Sequence, residues 1–201
     1  VTESGTVYRP EEVASYRQLA DEFQLHLHMD GARFANAVVA SGVSPADITW
    51  RAGVDCLSFG LTKNGGIATE AVVMFNQALA EDFAYRRKRA GHLWSKQRFL
   101  AAQWLALLES DLWLDNARHA NAMARELAVG FAAHDAIRLP WPVDANELFP
   151  VIPGVLRGRL RDAGLVFYDW PQEADMTRFV THFGTDPAEL ARAVEVIATC
   201  Q

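Results

Sequence analysis

The chain has 201 residues, half of them hydrophobic and 22% charged, with 13 glycines and 8 prolines. That composition suits a folded chain long enough to bury a core, and it excludes a disordered or collagen-like one. A formal net charge of −6 argues against general affinity for phosphate backbones, so no nucleic-acid partner is expected.

Cys56 and Cys200 are the only cysteines, too few for a disulfide framework or a zinc spacing. A reducing, cytoplasmic location is therefore expected. No apolar run reaches the roughly 18 residues of a membrane span, and no signal peptide opens the chain.

In chain order, "RPEEVASYRQLADEF" places Pro10 in a first helical turn, with two acids after it. "QLHLHMDGAR" alternates Leu25, Leu27 and Met29 with His26, His28 and Asp30. Period two predicts a strand that Gly31 ends, with both histidines and Asp30 on one face. "ARFANAVVASG" predicts a short helix closed by Gly42, and "GVDCLSFGL" a strand covered on both sides. The "TKNGG" segment predicts a tight turn into a further buried strand, "IATEAVVMF".

"NQALAEDFAYRRKRA" is expected to be one helix capped by Asn76, its basic run Arg86–Arg89 complementing the C-terminal dipole. "SKQRFLAAQWLALLE" and "SDLWLDNARHANAMARELAVGFAAH" follow as helices, with Trp104, Trp113 and Met123 read as packing residues. Four of the eight prolines then fall between Pro140 and Pro153, which sets a boundary at 140. Beyond it come a helix, the strands "LVFYDW" and "TRFVTHFG", and a last helix capped by Asp186. The expected class is α/β, with a large domain over 1–139 and a small α+β domain over 140–201.

Lysine is rare here, with only Lys63, Lys88 and Lys96. A tight turn needs the Asn-Gly pair after Lys63 but not the lysine itself. Asp30 and Lys63 both stand at the ends of predicted neighbouring strands, where ligands collect in open α/β sheets. A carboxylate beside a reactive amine suggests pyridoxal 5′-phosphate (PLP): the amine condenses with the aldehyde, and the carboxylate pairs with the pyridinium nitrogen. Spacing alone also allows Lys63 as a solvated turn residue and Asp30 as the cap of the following helix. Arg33 and Arg178 could also be surface ion-pairing residues.

"HMDGARFANA", "SFGLTKNGG", "GHLWSKQRFLAAQWLALL" and "TRFVTHFGT" resemble successive blocks of the L-threonine aldolase family. That family has the aspartate-aminotransferase-like fold, PLP fold type I, and stands close to the β-eliminating lyases. The "TKNGG" form resembles its low-specificity and phenylserine aldolase branch. The resemblance implies retro-aldol cleavage of L-threonine or a related β-hydroxy-α-amino acid to glycine and an aldehyde, within a homodimer or homotetramer. It makes Lys63 the catalytic lysine that holds PLP and Asp30 the partner of its ring nitrogen. Arg33 would lie near the cofactor O3′ and the substrate carboxylate, and Arg178 would grip that carboxylate. Thr62 would contact the phosphate, and His28 would support Asp30 from behind. The family's "MRQ" string, which sends an arginine to the neighbouring subunit's phosphate, reads "WSKQR" here, so Lys96 and Arg98 both qualify. The resemblance covers the last three-fifths of a family member. It places the phosphate-cradling Gly-Thr loop, the ring-stacking residue and the usual base upstream of Val1, so this stretch alone is expected to bind PLP weakly. A β-eliminating or aminotransferase-like reaction, or a non-catalytic remnant, remains the alternative.

Overall fold

The computed structural model describes residues 1–200. It forms two compact units, one of Tyr8–Asp115 and one of Val1–Val7 with Asn116–Gln201. The α/β class expected from the sequence is present.

In the Tyr8–Asp115 unit, helix α1 (Pro10–Glu22) precedes strand β1 (His28–Gly31) and helix α2 (Phe34–Ser41). Strands β2 (Cys56–Gly60) and β3 (Glu70–Met74) follow, then helices α3 (Phe83–Arg89) and α4 (Arg98–Glu109). The sheet order is β1-β2-β3, with β1 parallel to β2 and β2 antiparallel to β3. Val13 of α1 packs with Ala52 and Val54, against Leu27, Met29 and Phe75. Gly42 ends α2 in the left-handed conformation, as its position predicts.

Three local expectations are corrected. First, β1 begins at His28 rather than near Gln24. The Leu25 amide closes the end of α1 on Ala20, and the Leu27 amide is taken by the Asp55 carboxylate at 2.8 Å. Those residues therefore serve the turn before the strand. Second, the single helix expected after Asn76 is two pieces. Asn76 accepts from the Ala78 amide and caps a 3-10 turn over Gln77–Ala80, and α3 starts afresh at Phe83. No residue of either piece is buried, so no apolar face holds one continuous helix together. Third, the connection from β2 to β3 is not a two-residue hairpin. It runs from Leu61 to Thr69, with a 3-10 turn at Thr62–Asn64 and Gly65 at φ 109°.

Helix α5 (Leu112–Ala132) begins in the first unit and from Asn116 belongs to the other, where strand β4 (Glu147–Leu148), helix α6 (Gly154–Asp162), strands β5 (Tyr168–Asp169) and β6 (Thr177–Val180), and helix α7 (Pro187–Thr199) follow. The sheet is antiparallel, in the order β4-β6-β5. Met123, Leu127 and Phe131 of α5 share one core with Leu148, Ile152, Leu160, Phe179, Leu190 and Ile197. The compact units therefore divide at Asp115 and Asn116, whereas the proline-rich segment suggested 140. That segment lies inside the second unit, where Val151 bridges Arg138 and Met176. Asp186 caps α7 through the Ala188 amide at 2.8 Å, as expected. No helix among the described residues is long and apolar enough to cross a membrane.

Candidate functional site

The register of the first sheet sets which side chains share a face. Asp30 stands opposite Ser58, and Ser58 opposite Val72; His28 stands opposite Cys56, and Cys56 opposite Met74. His28, Asp30 and Val72 on this face are exposed, while Leu57 on the other face is buried. Because β1 and β2 run parallel, their C-terminal ends lie at one edge. Asp30 is the penultimate residue of β1, and Lys63 follows three residues after the last residue of β2. The structure therefore brings the aspartate and the lysine segment to adjacent strand ends.

Two glycines let these segments meet. A Cβ on Gly60 would fall 2.7 Å from the Ala32 Cα, and one on Gly31 would fall 2.6 Å from the Ser58 carbonyl oxygen. Only backbone without a side chain allows so close an approach. Asp30 accepts the Ala32 amide at 2.9 Å, which orients its carboxylate across the turn. The N-cap of α2 is Arg33, so Asp30 closes a turn and does not cap that helix. Arg33 is half-buried.

Lys63 is exposed, but its mount is fixed. Leu61 is fully buried, and Asn64 is buried and donates to the Trp113 carbonyl at 2.7 Å. The Glu70 carboxylate accepts the amides of Leu61 at 2.9 Å and Thr62 at 3.3 Å. Farther along the loop, Trp104 donates to the Thr69 hydroxyl at 2.9 Å, and Gln103 accepts the Ile67 amide at 2.7 Å. Phe59 is flanked by Phe34, Trp104 and Trp113, with ring centroids 5.1, 4.9 and 5.4 Å away. The two tryptophans are packing residues, as expected, and they also hold the lysine loop. Thr62 is exposed, and its hydroxyl lies 3.5 Å from the Thr69 carbonyl.

The remaining predicted residues have other surroundings. The His28 ring bonds the Ser58 hydroxyl at 2.8 Å, so its partner is the serine that faces Asp30 rather than Asp30 itself. Lys96 is exposed with φ 63° and stands before α4, which begins at Arg98. The Arg98 guanidinium lies over the Phe99 ring at 4.7 Å. Arg178 belongs to the other compact unit. Its Nε donates to Glu147 Oε1 at 2.9 Å, its Nη2 donates to the same oxygen, and its guanidinium lies 5.3 Å from the Trp170 ring centroid.

Cys56 carries no reactive signature. Burial, with the nearby Asp55 charge adding to it, pushes the thiol above its usual range, so it stays protonated. Sequence reasoning missed Glu70, Ser58 and Glu147. The only signal was polarity out of place: Glu70 opens an apolar strand, and Glu147 sits inside "ANELFP".

A family model described as beta-eliminating lyase matches residues 1–152. The low specificity L-threonine aldolase of Pseudomonas aeruginosa is 47% identical over 199 residues, covering 98% of this chain and 57% of that protein. Another low specificity L-threonine aldolase, from a Pseudomonas species, is 44% identical with the same coverage. A solved structure of Leishmania major threonine aldolase superposes with a TM-score of 0.88 at 32% identity, covering 98% of this chain and 58% of that one. The chain thus spans 57% of the length of these two Pseudomonas relatives. That overlap bears out the expected fold type I architecture.

Proposed function

Because this chain belongs to the beta-eliminating lyase family, we propose that it carries the lysine half of the active site of a PLP-dependent aldolase. The substrate class is β-hydroxy-α-amino acids, L-threonine among them, cleaved to glycine and an aldehyde. The observation that supports this reading best is the convergence of Asp30 and Lys63 at the adjacent ends of β1 and β2.

The donor set fits the cofactor. An exposed carboxylate held across a turn suits a pyridinium nitrogen, and an exposed amine on an anchored loop suits an aldehyde. When bound, PLP supplies an electron sink for negative charge developing at the amino acid's Cα. Asp30 holds the positive charge of the ring nitrogen. Lys63 presents Nζ to the aldehyde carbon, and the anchors at Leu61, Thr62 and Asn64 limit where that atom travels. Thr62 donates to the phosphate, and Arg33 and Arg178 take the substrate carboxylate, a task suited to a planar guanidinium. Lys96 or Arg98 supplies a cation to a neighbouring subunit's phosphate. Support for a homodimer or homotetramer comes from exposed Tyr85, Trp94 and Phe99, and support for a reducing, cytoplasmic setting comes from two free cysteines.

The family model also favours a second reading, β-elimination on the same residues. The test is to supply the full-length protein containing this sequence with L-threonine and with L-serine. Glycine from threonine, abolished by Lys63→Ala, is the expected result. Pyruvate from serine without glycine from threonine would establish the second reading instead.

A further inference from the structure

We infer that Glu147 is the positioning residue for Arg178: it occupies one edge of the guanidinium and so dictates which edge receives the substrate carboxylate. This rests on the reading of Arg178 as the carboxylate holder.

The arrangement follows from strand register. Arg178 lies on β6, the central strand of its sheet. Glu147 on β4 stands opposite Val180, which places Glu147 diagonal to Arg178 on the same face. On the other side, Tyr168 stands opposite Arg178, and the Trp170 amide donates to the Met176 carbonyl, continuing that pairing past the end of β5. An acid from one neighbouring strand and an indole from the other therefore flank one arginine.

Glu147 is 5% exposed and the Arg178 side chain 21%, so the acid is the buried member and the arginine reaches outward. A salt bridge formed only for surface solubility would not bury its carboxylate. One oxygen, Oε1, accepts both Nε–H and Nη2–H. Those two groups make up the side-on edge of the fork, one of two edges that can take a carboxylate in parallel hydrogen bonds. With the side-on edge filled, the Nη1–Nη2 end remains for an α-carboxylate. The Trp170 ring restricts rotation of the guanidinium plane from the other side.

The test measures inhibition constants of glycine and of ethanolamine, which lacks the carboxylate, on the PLP-loaded full-length protein. The ethanolamine constant divided by the glycine constant reports the carboxylate contribution. Glu147→Ala is expected to cut that ratio about tenfold or more, the scale of a charge-assisted hydrogen bond, while ethanolamine binds as before. Glu147→Gln keeps an acceptor oxygen in place and is expected to hold the ratio within about threefold. Should Glu147→Ala not fold, Glu147→Asp, which withdraws the carboxylate by one methylene, must show the same fall. A wild-type ratio in Glu147→Ala or Glu147→Asp, with a collapsed ratio in Arg178→Ala, overturns the role of Glu147 and leaves that of Arg178 standing. A wild-type ratio in Arg178→Ala overturns both.

Discussion

Asp55 shows how one side chain holds several segments. Its carboxylate accepts the Leu27 amide, the Asn76 side-chain amide and the Arg17 guanidinium, at 2.8, 3.0 and 2.7 Å. It thereby ties α1, the entry to β1 and the exit from β3. Burial is the largest single influence on this group and pushes its pKa up. The Leu27 amide, Asn76 and Arg17 together outweigh it and leave the carboxyl below its ordinary value. A depressed folded-state pKa means that the unfolded chain binds the proton more readily. The stabilisation is therefore full above the unfolded value of about 3.9 and fades as pH falls through the lower folded value. Asp55→Asn is expected to be less stable than the parent at neutral pH, with the two unfolding curves converging below about pH 4. Denaturant titrations across that range check this, and a gap that stays constant with pH contradicts it. None of this was legible in "VDCLSF", read only as part of a strand covered on both sides, because two of the Asp55 partners lie 28 and 38 positions away.

Elements were legible where the determining contact is local. Gly42 closing α2 and Asp186 capping α7 depend on residues a few positions apart, and both appear in the structure; of the period-two run, only the part from His28 is strand. Legibility failed where a distant partner decides. The Lys63 turn looked like a tight hairpin because Asn-Gly commonly makes one. Here Asn64 instead turns inward to bond Trp113, 49 residues on, and the loop widens to accommodate it. The pairing of Glu147 with Arg178 was invisible for a related reason, since it depends on the register of a strand only two residues long. The close approach of β2 to the segment after β1 can be tested by substitution. Gly60→Ala would drive a methyl into the backbone of Ala32, with no flexible side chain to yield. A loss of about 1–3 kcal/mol in urea unfolding is expected, as for other overpacked sites. Unchanged stability would show that the two segments are not in fixed contact.

At the scale of the whole chain, each compact unit has its own arrangement of polar residues. The Tyr8–Asp115 unit presents the aspartate and the lysine, and the other presents the arginine–glutamate pair. Composition pointed to a boundary near 140 because prolines cluster there, yet the helix before them shares its core with the strands after them. Proline content marks where the chain bends, and shared burial marks where a unit ends; here these are different places. The family blocks carried more of the functional reading than spacing did, since an acid and a lysine at loop ends are common on any α/β protein. The proposed chemistry stands or falls with Lys63 as the amine that holds the aldehyde cofactor. It is tested most directly by incubating the full-length protein with PLP, reducing with borohydride and mapping the modified peptide by mass spectrometry. One phosphopyridoxyl group is expected, on Lys63, and none in Lys63→Arg. Modification of Lys88 or Lys96 instead, or none at any of the three lysines, would contradict it.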